Sequence, residues 1–422
     1  MARALVRLFA MSAAFSVALT TAGAAPAVAR GTTGPDGAAP AAALTTGPAV
    51  PTAWPAARTP ASALAALGIA GPAPITVRPA LGSANAPPVD RSLFDRQDLI
   101  YGSEIGAWET DGGRAIHDPI ARENIRAARI RVIRWGQWSR FDDARQPLSE
   151  FNAVLDGIGE LGAVPLIKLP PIWDGQCGAG PEDWSLDWLK EIVRAAGPRV
   201  SLYEFGNEPE HYCDWDSLDY LSWWLDVVPQ LKRYARSLGF EIFVGGPALT
   251  NSDARSLAFL RWYLALAGAT YRATRDLDYV PDFVSSHTYL TAAENATPET
   301  MRARIDAWGA WYDDLRATID TALGGLRDRT GAPLKIPVAD TEWNFTIDNA
   351  DPRAEDPAYT DFYVRAMFAM LRAHHVWLSC QFTIASHGGG ALDLLRADGT
   401  AKPLYTAYRA VSTADPENPP RS

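Results

Sequence analysis

Residues 200–246 read VSLYEFGNEPEHYCDWDSLDYLSWWLDVVPQLKRYARSLGFEIFVGG, and the fold turns on how this stretch is parsed. It opens on an apolar run, 200–206, of strand length and closed by Gly206. The period then changes. Over 217–238, Leu218, Leu221, Leu225, Val228 and Leu231 recur at spacings of three and four, the apolar stripe of a helix lying on a sheet. A second apolar run, 241–246, ends in paired glycines. Strand, crossover helix and strand make one unit of a parallel sheet.

The unit repeats in both directions. Further strands are expected at 99–106, 130–135, 163–169, 282–287, 336–342 and 377–384. Helical periodicity fits 118–128, 149–161, 185–196, 253–270, 298–328, 357–374 and 402–412. Several strands are apolar throughout, as parallel strands covered by helices should be. Eight strand–helix units within 93–413 predict an α/β fold, a (β/α)8 TIM barrel forming a single catalytic domain. An open doubly wound sheet is the rival. It usually carries a Gly-rich loop after its first strand, and Gly102-Ser103-Glu104-Ile105-Gly106-Ala107 lacks the G-x-G-x-x-G spacing.

The flanks read differently. Met-Ala-Arg-Ala-Leu-Val-Arg, then an apolar run over Leu8–Ala25 and small residues to Ala29, is the layout of a secretory signal, so residues 1–29 are expected to be cleaved and the protein secreted. Residues 30–92 are rich in Ala, Pro, Gly and Thr and read as a disordered linker. Residues 414–422 read as a disordered tail. The net charge of −10 and pI near 5.2 disfavour nucleic acid and anionic membrane surfaces as partners, and no membrane association is expected after signal cleavage.

In a barrel, chemistry belongs to the C-terminal ends of the strands. That rule gathers Glu104 and Trp108 after the first strand, and Arg134, Trp135 and Trp138 after the second. It adds Lys168 and Trp173, Asn207 and Glu208, His287 and Tyr289, and Glu342, Trp343 and Asn344 from strands 3, 4, 6 and 7. Polar and aromatic groups together suit a polyhydroxylated substrate, an oligo- or polysaccharide. Glu208 in Asn207-Glu208-Pro209 and Glu342 in Thr341-Glu342-Trp343 close apolar runs on strands that lie roughly across the mouth. Two carboxylates around one centre suit acetal cleavage, one protonating the leaving oxygen and the other attacking or activating water.

These motifs resemble the clan of retaining (β/α)8 glycoside hydrolases, in which the strand-4 Glu is the acid/base and the strand-7 Glu the nucleophile. More narrowly, Val244-Gly245-Gly246-Pro247-Ala248, the run from Asp282 to Tyr289 and Thr341-Glu342-Trp343-Asn344 resemble glycoside hydrolase family 39 over residues 95–412. That family holds β-xylosidases and α-L-iduronidases. The resemblance departs at strand 8, where Ile384 to Gly390 lacks the tryptophan common there. It implies catalytic Glu208 and Glu342, with Asn207 on the sugar 2-hydroxyl, Arg134 keeping Glu342 ionised, and Tyr289 donating to Glu342. His287 would bind sugar or the acid/base. Glu104, Trp343 and Trp173 complete the expected substrate-binding set. It also implies an exo-glycosidase on plant polysaccharide fragments, β-xylosidase favoured, with an endo-β-glycanase or a non-catalytic carbohydrate-binding barrel as alternatives. No cofactor and no metal are expected. The loop with His211, Cys213, Asp214 and Asp216 lacks a ligand spacing. Cys177 and Cys213 fall in neighbouring loops, where a disulfide is expected in a secreted chain; Cys380 reads as a small buried apolar residue.

Overall fold

A computed structural model describes residues 91–105, 114–136, 147–169, 186–213, 215–250, 252–385 and 389–420. Eight parallel strands pair in sequence order and close on themselves, β1 Gly102–Glu104, β2 Val132–Trp135, β3 Val164–Leu169, β4 Leu202–Phe205, β5 Phe243–Leu249, β6 Val284–Tyr289, β7 Val338–Asn344 and β8 Leu378–Gln381. The helices among the described residues are α1 Arg114–His117, α2 Pro119–Ala127, α3 Leu148–Glu160, α4 Leu186–Ala196, α5 Pro209–Tyr212, α6 Ser217–Ser237, α7 Ala254–Thr274, α8 Pro298–Leu323, α9 Pro357–Ala373 and α10 Pro403–Ala414. This is the expected (β/α)8 barrel.

Local chemistry starts the helices where they start. Asp118, Asp216, Asp253, Thr297 and Asp356 each accept hydrogen bonds from first-turn N–H groups that lack intrahelical partners. Pro119, Pro298, Pro357 and Pro403 open their helices, where a missing N–H is harmless. In α6 the apolar stripe buries Leu221, Val228 and Leu231 against the barrel, each contributing roughly 1.5–3 kcal/mol.

Strand alternation separates two cores. Outward residues such as Ile133, Tyr203 and Val244 pack under the helices. Inward residues Val132, Leu166, Leu202, Phe243, Ala339 and Leu378 fill the lower barrel with Phe94, Phe283 and Trp377. Phe94 lies 4.9 Å from both the Phe243 and Trp377 rings and plugs the bottom. One step further along each strand the inward positions become Glu104, Arg134, Lys168 and Glu204, so an apolar floor carries a charged layer.

Some boundaries differ from expectation. β1 is shorter because Asp98–Ile100 forms a 3-10 turn beneath the barrel. β7 runs on to Asn344 because it stays paired with β6 as far as Tyr289. Residues 415–420 are not frayed as the Pro-rich composition suggested, and 421–422 lie outside the described residues. Asn418 is buried, its backbone carbonyl accepts from Arg129 Nη1 at 2.7 Å, its Oδ1 accepts from Arg131, and its Nδ2 donates to Ser412 O at 3.0 Å. Asp415, just after α10, pairs with Arg372 at 2.8 Å.

Candidate active site

The two glutamates reach the mouth by different local devices. β4 stops at Phe205; Gly206 turns the chain with φ +90, and Glu208 itself holds φ 49 and ψ 49. Its N–H donates to Ala248 O at 2.9 Å, fixing the turn to β5. Pro209 then opens α5. On the other side, simple alternation from inward Ala339 would send Glu342 outward. The register between β6 and β7 shifts after Ser286 and Asp340, so that His287 pairs with Glu342. This bulge at Thr341 re-aims the strand. Thr341 and Glu342 both face inward, Thr341 Oγ1 donating to Glu204 Oε1 at 2.7 Å.

Arg134 organises the charged layer. It is fully buried; Nε donates to Glu204 Oε2 at 2.8 Å, Nη2 to Asn207 Oδ1 at 2.9 Å, and Nη1 to both Glu104 and Glu342. Lys168 Nζ donates to the other Glu104 oxygen at 2.6 Å. The guanidinium thus holds three carboxylates, and despite burial they push its pKa well up. For Glu342, burial raises the pKa, but His287, Arg134 and Lys168 outweigh it and hold the carboxyl down to about 2. Tyr289 OH adds a 2.8 Å hydrogen bond to Glu342 Oε2. This group is therefore a standing carboxylate with a fixed orientation.

Glu208 meets a different partner. His287 Nδ1 lies 2.6 Å from Glu208 Oε1 and 3.7 Å from Glu342 Oε2. Its Nε2 is 3.5 Å from Arg134 Nη2, and the Nδ1 side of the ring is directed at Glu208. Burial lowers the His287 pKa, but the carboxylates of Glu342 and Glu208 raise it on balance. The His287 ring thus makes a hydrogen bond to Glu208, while Glu342 is held as a carboxylate.

The ligating atoms of Glu208, His287 and Glu342 all lie within 4.8 Å of one another. Such a trio has metal-ligand chemistry, yet the Arg134 guanidinium already supplies the positive charge on Glu342 that an ion would bring. Glu208 and Glu342 are each 7% exposed, whereas Glu104 and Glu204 are wholly buried, so among these four the first pair opens to the mouth.

The structure brings together Glu208, Glu342, Asn207, Arg134, His287 and Tyr289. It moves others. Glu104 lies beneath Arg134 and acts through it rather than on a ligand. Trp343 does not face the mouth: β7 alternation turns it outward, where its Nε1 donates to Ser379 Oγ at 3.1 Å and its ring packs among Tyr363, Phe368 and Tyr408. Trp108, Trp138, Trp173 and Cys177 fall outside the described residues. Cys213 is disulfide-bonded, and Cys380 is a free buried thiol. Sequence reasoning passed over Glu204 and Thr341; a charged residue inside the otherwise apolar run 202–205 was the available signal. It also passed over Glu210, which is buried beside the Glu208 turn.

Fold and site together define a class: a parallel (β/α)8 barrel whose strand-4 and strand-7 glutamates converge over its C-terminal mouth. Within that class, the chain shares its fold with solved glycoside hydrolase structures. A monomeric β-xylosidase from Caulobacter crescentus CB15 superposes with a TM-score of 0.52 at 16% identity, covering 74% of this chain and 67% of that one. A glycoside hydrolase family 39 enzyme from Xanthomonas axonopodis pv. citri gives 0.51 at 16%, covering 74% and 66%. A bacterial orthologue of human α-L-iduronidase gives 0.51 at 15%, covering 74% and 55%. The chain thus spans about two thirds or less of these structures, and the likeness is one of fold. No known family profile matches the sequence, and neither does any curated protein.

Proposed function

We propose that this protein is a retaining O-glycoside hydrolase, with Glu342 as nucleophile and Glu208 as acid/base. One observation carries the reading: two mouth-facing glutamates bring a carboxyl oxygen each within 4.8 Å of the other, and one of them, Glu342, is held ionised. Retaining enzymes hold these groups about 5–5.5 Å apart, whereas inverting ones leave roughly 6.5–9.5 Å for a water.

The chemistry follows from the groups in place. Glu342, ionised and aimed by Arg134 and Tyr289, attacks the anomeric carbon. As the glycosidic bond breaks, Glu208 passes its proton to the leaving oxygen, giving a covalent glycosyl ester on Glu342 and a free alcohol. Glu208, now a carboxylate hydrogen-bonded to His287, takes a proton from water. The hydroxide adds to the same carbon, Glu342 departs, and the acid is restored. Asn207, whose Oδ1 accepts from Arg134 Nη2 at 2.9 Å, binds the sugar 2-hydroxyl on this reading.

The substrate reading is an exo-acting enzyme on plant polysaccharide fragments, with β-xylosides favoured. It is supported by the sequence motifs and by the shared fold with a β-xylosidase. A secreted location is part of the same proposal, on the reading of residues 1–29 as a signal. The test is a panel of aryl glycosides (xyloside, arabinoside, glucoside, galactoside and uronide) followed by proton NMR. Xyloside cleavage with the retained anomer appearing first is expected. No turnover of any glycoside, or an inverted first product, would refute the retaining hydrolase.

A further inference from the structure

The acid/base loop is held by more than its own turn. A non-glycine residue in the left-handed region costs about 1–2 kcal/mol, and such a conformation persists only where its surroundings over-determine it. Glu208 is in that region, and so is Ala248 opposite it, with φ 57. β4 ends at Phe205, but two hydrogen bonds continue its pairing with β5 beyond that point. The first is Glu208 N–H to Ala248 O at 2.9 Å. The second is Thr250 N–H to Glu210 Oε1 at 2.7 Å, so a side-chain oxygen takes the place a strand carbonyl would hold. Ser256 Oγ approaches the same oxygen at 3.4 Å, and Arg255 Nη2 donates to the Glu210 carbonyl at 3.2 Å, tying α5 to the start of α7 as well.

We propose that Glu210 is a positioning residue for Glu208: its buried carboxyl bridges α5 to the end of β5 and holds the acid/base turn against the barrel. The inference rests on the reading of Glu208 as acid/base. The carboxyl makes no ion pair among the described residues and is 4% exposed. Burial raises its pKa to about 7, the Thr250 N–H opposing and the Glu208 charge adding. Oε2 is buried without a partner, so Oε1 alone makes the bridge. An amide in place of the acid can keep that bridge; a methyl group cannot.

A loosened acid/base has a signature that general destabilisation lacks. Substrates with poor leaving groups need the proton; those with good leaving groups do not. The experiment measures kcat/KM for Glu210→Ala and Glu210→Gln on phenyl and 2,4-dinitrophenyl glycosides of whichever glycone the wild type cleaves best, with melting temperatures alongside. Glu210→Ala is expected to lose about 10- to 100-fold on the phenyl substrate, since a displacement near 1 Å has that effect. The dinitrophenyl substrate should stay within about threefold because its departure needs little protonation. Glu210→Gln should restore the phenyl activity. Equal losses on both substrates, no loss on either, or a glutamine variant as impaired as the alanine one would overturn the proposal. Should Glu210→Ala fail to fold, Glu210→Asp keeps the acid and shortens its reach, and the same pair of substrates decides. A wild type inactive on every glycoside instead sinks the hydrolase reading itself.

Discussion

Two glutamates of the same chemistry are made unlike by what surrounds them. Glu342 accepts from Arg134 and Tyr289 and is ionised at any working pH. Glu208 instead meets His287 Nδ1 at 2.6 Å. On the proposed mechanism the ionised Glu342 is the nucleophile and Glu208 the acid/base. Glu342→Ala should therefore abolish turnover, because no covalent intermediate forms. Glu208→Ala should keep the first step for an activated aryl glycoside and stall at the second. Added azide needs no base and should restore turnover, yielding a glycosyl azide of retained configuration. An azide product of retained configuration from Glu342→Ala would reverse the two assignments. Both glutamates were legible in the sequence because each closes an apolar run at a strand end. Glu204 was not, because its partners Arg134 and Thr341 come from other strands.

At the scale of elements, the bulge between β6 and β7 is what turns Glu342 into the mouth and leaves Trp343 behind the barrel. Period-two alternation is readable from sequence, but a single-residue shift reverses facing and leaves no compositional mark. The chain after α10 teaches the same lesson. Pro416, Pro419 and Pro420 suggested fraying, yet Asn418 satisfies Arg129, Arg131 and Ser412 at the base of the barrel. Removing 415–422 would leave buried polar groups unpaired, each costing about 1–3 kcal/mol. The truncated protein should melt several degrees lower in a thermal scan, roughly 2–6 °C. Its KM should be unchanged, since the segment lies at the opposite end of the barrel from the glutamates. An unchanged melting temperature would show that these contacts contribute nothing.

Across the whole molecule, buried acids set how stability responds to pH. Burial raises Asp340 to about 8, opposed by Thr288 and Tyr312, and Glu210 to about 7. Between about pH 4 and 8 the folded chain retains protons that the unfolded chain releases, so stability falls as pH rises through that window. Glu342 acts oppositely: held down to about 2, it contributes stability above the ordinary carboxylate range that is lost as pH falls toward 2. Melting temperatures of the wild type should decline from pH 5 to 8, and Asp340→Asn should flatten the decline because it keeps an acceptor for Thr288 without a titrating proton. An identical slope in the variant would refute this. Residues 30–92 carry no periodic apolar face. A chain beginning at Arg91, which keeps the Phe94 plug, should retain the melting temperature and kcat/KM of the full chain; a large loss in either would show that the segment supports the barrel.

The sequence by itself determined the barrel, the order of its strands and the two glutamates. Strand and helix periods, capping residues and strand-end composition are local, and parallel strands joined by helices can close in few ways. Tertiary structure decided which residues share the charged layer, which way Glu342 and Trp343 point, that Glu104 serves Arg134 rather than a ligand, and that Glu210 bridges to Thr250. Each of these depends on register between neighbouring strands and on contacts between residues distant in the chain. Such contacts are fixed only when the sheet closes, because a carboxylate or guanidinium can be buried only once its partners from other strands are in place.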